Sequence, residues 1–246
     1  MAIPGRIMDP ERIPEVKLTK SREAICRKIM RICLRFFDKG CNPALTPFRG
    51  ILLSGPPGSG KTEIAKQVAR ILGIRFKRGP YKIRLVFVDS ADIASPKWGD
   101  AEAKLRAIFN CEEASTKTII LFDDIDCLML ERGSHLSKEW HYSINSVIFH
   151  ELDRLNPANT MVIATTNRPD LVDKALKSRL YEIEVPIPPK EELLEIAKEM
   201  ARSMIDSEAE IERIISIVKK RLETESLDIR DIQHIVLVEC IERGYG

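Results

Sequence analysis

Apolar positions along the chain follow two alternating periods. Residues 19–38 place Ile25, Ile29, Ile32 or Cys33, and Phe36 on one helical face, and Gly40 ends the run. Residues 50–54 (G-I-L-L-S) form a short apolar block of strand character, and a helix over 61–72 follows, closed by Gly73. The alternation continues with strand 84–88, helix 100–114, strand 118–122, helix 143–155, strand 161–165 and strand 181–186. Short strands rich in Val and Ile, separated by helices, predict a parallel sheet covered on both faces. Pro186, Pro188 and Pro189 break the rhythm, and helices over 191–204, 208–222 and 228–243 fill the rest. The pattern divides the chain into an extended arm over 1–15, marked by Pro4, Pro10 and Pro14, an α/β core over 16–189 and a small all-helical domain over 190–246.

Composition narrows the function classes. With 39 Lys and Arg against 37 Asp and Glu in 246 residues, the net charge of +2 excludes a surface built throughout to hold nucleic acid. No apolar run approaches the roughly 18–20 residues that cross a bilayer, and the N-terminus lacks the apolar core of a signal peptide, so a cytoplasmic location is expected. The six cysteines form no C-x-x-C pair and have no His partners at zinc spacing, which favours buried reduced thiols.

Two motifs carry chemistry. Gly55-Pro56-Pro57-Gly58-Ser59-Gly60-Lys61-Thr62 fits G-x-x-x-x-G-K-[ST], the P-loop, and stands after an apolar strand at the start of a helix. There the glycines let successive backbone N–H groups face an anion, and the helix N-terminus adds its positive end. Lys61 is expected to reach the β- and γ-phosphates, and Thr62 to offer a hydroxyl to Mg²⁺. Downstream, the apolar strand 118–122 ends in Asp123-Asp124, at the sheet edge where ligands bind in open α/β folds. Asp123 is placed to hold Mg²⁺, directly or through water, and Asp124 to take a proton from an attacking water.

With two further signatures these residues resemble an AAA+ ATPase, of the group containing proteasomal ATPases, katanin and spastin. The four run in order: G-P-P-G-S-G-K-T at 55–62, I-L-F-D-D-I-D at 120–126, A-T-T-N-R-P-D at 164–170 and A-L-K-S-R-L at 175–180. The resemblance implies a RecA-like core with a five-stranded parallel sheet, a helical lid, ATP and Mg²⁺ at their junction, and a ring, usually of six subunits. It further implies that Asn167 orients the lytic water and that Arg179 enters the adjacent subunit's site as an arginine finger. A turn asparagine and a solvated surface arginine are the plainer alternatives.

Several positions depart from the family. The second acid is Asp124 rather than Glu, one methylene shorter, which makes slow turnover or a shifted water an expectation. Ser178-Arg179-Leu180 replaces a longer segment with two arginines. Lys97-Trp98-Gly99 falls where the family's pore loop grips a threaded polypeptide, and a buried core aromatic competes with that reading of Trp98. Arg230 falls where some branches carry a lid arginine that touches the γ-phosphate; a surface ion pair is the alternative.

For partners, the resemblance implies copies of the same chain and a protein substrate or adaptor. Ten basic against five acidic residues over 1–40, and four against eight over 190–213, suggest complementary faces or solvated helices. Arg75, Lys77, Arg78, Lys82 and Arg84 keep open a nucleic-acid-directed ATPase of the clamp- or helicase-loader type, without being favoured. An ATP-binding assembly switch with negligible turnover is the third reading. Many relatives carry a recognition domain before the core, and here only the arm precedes it. Recognition is therefore expected from the arm, the pore or a separate adaptor, unless the chain is a shortened piece.

Overall fold

A computed structural model describes residues 5–40, 48–89, 93, 99–111, 113, 115–128 and 139–245. In chain order they form β1 (Arg6–Met8), α1 (Lys20–Lys39), β2 (Gly50–Ser54), α2 (Lys61–Phe76), β3 (Lys82–Asp89), α3 (Asp100–Phe109), β4 (Thr116–Asp123) and α4 (Glu139–Arg154). Then come β5 (Thr160–Thr166), α5 (Lys174–Lys177), β6 (Leu180–Glu184), α6 (Lys190–Met204), α7 (Glu208–Thr224) and α8 (Ile229–Glu242). Two 3₁₀ turns, Pro10–Arg12 and Ile125–Cys127, complete the set among the described residues.

The strand order is β1-β3-β4-β5-β2-β6, with β2 to β6 parallel and β1 antiparallel on β3. The sheet thus has six strands rather than five. The sixth is part of the arm, where Arg6, Ile7 and Met8 pair with Phe87, Val86 and Leu85. Three residues are too short for an alternation to register, so this strand has no sequence signature of its own.

Strand side chains alternate between two cores. Ile119 and Leu121 of β4 pack with Ile29 and Cys33 of α1 and with Ile64, Val68 and Leu72 of α2. Ile120 and Phe122 pack on the other face with Leu105 and Ile108 of α3 and Ile148 and Leu152 of α4. A third cluster joins α6, α7 and α8 through Ala197, Ala201, Ile211, Ile214, Val218, Ile232, Val236 and Cys240. Asp228 and Asp231 form a reciprocal capping box that starts α8.

The end of α2 differs from the sequence expectation. α2 runs through Gly73 to Phe76 instead of stopping there. A Cβ on Gly73 would lie 2.6 Å from Pro10 Cβ, so this glycine is a docking point for the arm rather than a cap. Around it Arg70 donates to the Ile13 carbonyl and pairs with Glu15, while Gln67 donates to the Pro14 carbonyl. The arm therefore crosses α2 before α1 begins.

Candidate active site

The turn between β2 and α2 is shaped by Gly58 and Gly60, at φ 67 and 89, which side chains rarely adopt. The first intrahelical bond of α2 runs from Ile64 N–H to the Gly60 carbonyl, leaving the preceding N–H groups at the helix start free of helical acceptors. Such a loop has the geometry of an anion cradle, and side chains that can do chemistry surround it.

Lys61 is buried and donates from Nζ to the Gly55 and Pro56 carbonyls at 2.9 and 2.8 Å and to Asn167 Oδ1 at 2.7 Å. Asn167, just beyond β5, donates from Nδ2 to Asp124 Oδ1 at 2.9 Å. Lys61, Asn167 and Asp124 thus form one chain linking the P-loop cation to the acid just beyond β4. Thr62 Oγ1 and Thr165 Oγ1 both donate to Asp123 Oδ1 at 2.7 Å. The Asp124 N–H donates to Thr165 Oγ1 at 3.0 Å, which ties the two aspartates to β5.

Asp124 sits at φ 49, ψ 55, in the left-handed region. Asp and Asn tolerate that conformation better than other side chains, which gives a local reason for the shorter acid. Partial desolvation, reinforced by Asp123 and Asp126, raises its carboxyl above the usual range despite Lys61, although the residue itself is exposed. Burial lowers the Lys61 ammonium, with Asp124 and Asp123 opposing.

α8 roofs the cradle. Ile229 N–H donates to the Gly58 carbonyl at 3.3 Å, and a Cβ on Gly58 would collide with the Asp228 carboxylate at 2.1 Å. Between roof and sheet edge lies a cleft of about 950 Å³. Lys61, Thr62, Asp123, Asp124, Asn167 and Arg230 line its polar end, and Val16, Leu18, Ile196 and Met200 its apolar end. A volume of this order fits a ligand of nucleotide size.

The donor set suits a hard cation held beside phosphate. Thr62 and Asp123 present a hydroxyl and a carboxylate to one point, and among the described residues no cluster of three or more His, Cys, Asp or Glu forms a metal cage. Mg²⁺ needs only one or two protein oxygens when phosphate and water complete its shell.

Other predicted residues lie elsewhere. Arg179 is not in the cleft: β6 begins beside Gly50, so Arg179 stands at the end of the sheet opposite the P-loop, roughly 15–20 Å away by strand rise. Its Nε and NH2 both reach Asp153 at 2.8 Å, NH1 donates to the Ala175 carbonyl, and the guanidinium lies over the Phe149 ring. Gly99 caps α3, whereas Lys97 and Trp98 lie outside the described residues. In the basic segment Lys77 pairs with Glu11 and Arg84 with Glu113, so its charge is partly neutralised. Sequence reasoning missed Thr165, although it stood inside a quoted motif, and missed Arg22, which has no motif at all.

Comparison with known proteins agrees with this geometry. Residues 51–188 match the model of the family described as "ATPase family associated with various cellular activities (AAA)". The chain is similar to Protein SAV of Sulfolobus acidocaldarius, 37% identical over 67% of this chain and 20% of that protein. A cell division cycle protein 48 homolog of Archaeoglobus fulgidus is 32% identical over 73% of this chain and 24% of its own length. An AAA ATPase forming ring-shaped complexes from Kocuria rhizophila is 37% identical over 54% of this chain and 25% of its own. The matches thus span a quarter or less of these relatives' own lengths.

Proposed function

Because the chain belongs to the AAA family and is an ATP hydrolase, we propose that it uses Mg-ATP to remodel a protein substrate or complex as a ring of six copies. The observation that carries this reading is the Lys61–Asn167–Asp124 chain beside the Thr62–Asp123 pair, under a helical roof.

In this mechanism the P-loop N–H groups and Lys61 bind the phosphates, and an incoming phosphate oxygen competes with Asn167 for the Lys61 ammonium. Asn167, released from Lys61, holds a water against Asp124. As that water attacks the γ-phosphorus its proton passes to Asp124, the bond to the β-phosphate oxygen breaks, and ADP and phosphate result. Thr62 and Asp123 would hold Mg²⁺, which neutralises charge on the phosphates when bound. The raised Asp124 carboxyl suits a group that must take up and then release a proton.

Completion of the site by a second copy is supported by the distance of Arg179 from its own P-loop and by a relative named for forming rings. Arg179 would leave Asp153 and meet a neighbour's γ-phosphate. Substrate contact through Lys97, Trp98 and Gly99, γ-phosphate contact by Arg230, and choice of substrate by the arm or an adaptor belong to the same proposal. The core over 16–189 would serve as engine and residues 190–246 as lid, in the cytoplasm, where thiols such as Cys26 and Cys33 stay reduced. Partial neutralisation of the basic segment favours a protein over a nucleic-acid substrate.

Steady-state hydrolysis tests the reading. Lys61→Ala is expected to lower turnover by about a hundredfold or more, and nucleic acid to leave it unchanged. Equal turnover by Lys61→Ala would overturn the site assignment, and salt-sensitive stimulation by nucleic acid would overturn the substrate class.

A further inference from the structure

Arg22 lies on the first turn of α1, 37 residues before the P-loop serine it touches, and is only 2% exposed. A buried guanidinium is costly unless its donors are used. Burial lowers its proton affinity, and Glu192 partly compensates. Nε and NH2 both donate to the Ser59 carbonyl, at 3.1 and 3.0 Å. NH2 also donates to the Pro186 carbonyl, and NH1 to Ser21 Oγ at 2.8 Å. Ser21 in turn donates from its N–H and its hydroxyl to Glu192, on α6.

The forked contact has a consequence on the far side of one peptide unit. In a trans peptide the carbonyl and the next N–H point in opposite directions. Fixing the Ser59 oxygen against Arg22 therefore fixes the Gly60 N–H on the opposite side of that peptide, at a glycine that lines the cleft. Gly60 has conformational freedom that other residues lack, so a contact from outside the loop adds to the fixing of that peptide. A cationic donor on the carbonyl also polarises the amide, strengthening its N–H as a donor.

We propose that Arg22 is a positioning residue for phosphate binding: it orients and polarises the Ser59–Gly60 peptide so that the Gly60 N–H meets the anion. Through Pro186 and Ser21–Glu192 the same guanidinium ties that amide to the base of the helical domain. Movement of α6 is thereby felt at the phosphate cradle. This inference rests on the nucleotide reading of the cleft.

The test compares ADP with AMP, because AMP lacks the phosphate that the P-loop holds. Affinities are measured by calorimetry for wild type, Arg22→Met and Arg22→Lys, with thermal melts to establish folding. Lysine keeps the charge and the stem but cannot fork onto one oxygen while reaching Pro186 and Ser21, so it carries the test if Arg22→Met does not fold. The ADP-to-AMP affinity ratio is expected to fall roughly tenfold to a hundredfold, from the loss of a charge-assisted contact, while AMP affinity stays near wild type. An unchanged ratio in folded Arg22→Lys, or equal weakening of both ligands, would overturn the proposal. If wild type binds neither ligand, it is the nucleotide reading that fails.

Discussion

At the scale of single residues, Asp124 shows how backbone and chemistry select the same side chain. Its left-handed backbone favours a short acid, and partial desolvation beside Asp123 and Asp126 disfavours its ionised form although the residue is exposed. For an acid whose folded pKa is raised, stability falls as pH rises from the unfolded value through the folded one, and the full penalty applies above it. Asp124→Asn removes that penalty and keeps an acceptor for Asn167. The variant is expected to melt at or above the wild-type temperature at neutral pH while losing nearly all turnover; a clear drop in melting temperature would contradict a carboxylate disfavoured by its acidic neighbours. The wild-type pH–rate profile should likewise show an acid limb above the ordinary carboxylate range. Lys61, Thr62, Asp123, Asp124 and Asn167 were legible in the sequence because each belongs to a short motif at the end of an apolar strand. Arg22 was not, because one arginine in a helix that also carries Arg27, Lys28, Arg31 and Arg35 has no local mark of burial. Its environment is made by a loop distant in sequence.

At the scale of elements, strand interiors were readable and their ends less so. β3 extends to Lys82 and β4 to Thr116 because these polar residues pair with each other in the ladder, where hydrogen bonding rather than burial extends the strand. α3 ends at Phe109, short of 114, with the Asn110 N–H closing on the Arg106 carbonyl. Gly73 gave a false stop because a glycine inside a helix looks like a terminus until its neighbour is known. Helix propensity alone would make Gly73→Ala stabilising by about 1 kcal/mol. The 2.6 Å approach to Pro10 predicts the opposite sign, a loss of about 1–3 kcal/mol through overpacking. Thermal melts and the rate of tryptic cleavage at Arg6 and Arg12 check this: faster arm cleavage and a lower melting temperature are expected, and a more stable variant with a protected arm would contradict the docking.

At the scale of the whole molecule, the residues proposed for hydrolysis are divided between opposite ends of the sheet. The cradle, Asp124 and Asn167 lie beyond the C-terminal ends of β2, β4 and β5, while Arg179 precedes β6 at the other end, held by Asp153. That hydrogen bond and the Arg179 charge hold the Asp153 carboxyl below the usual range. On the proposed reading, Arg179 reaches a phosphate only from a second copy, and hydrolysis would be a property of the assembly. The most direct measurement mixes two defective proteins. Lys61→Ala lacks the proposed phosphate lysine but presents Arg179, and Arg179→Ala lacks the proposed finger but keeps its own cradle. Each alone is expected to hydrolyse ATP at about one hundredth of the wild-type rate or less, and an equimolar mixture to regain a substantial fraction of it. An assembled mixture no more active than its components, or an Arg179→Ala protein as active as wild type, would contradict a site shared between copies.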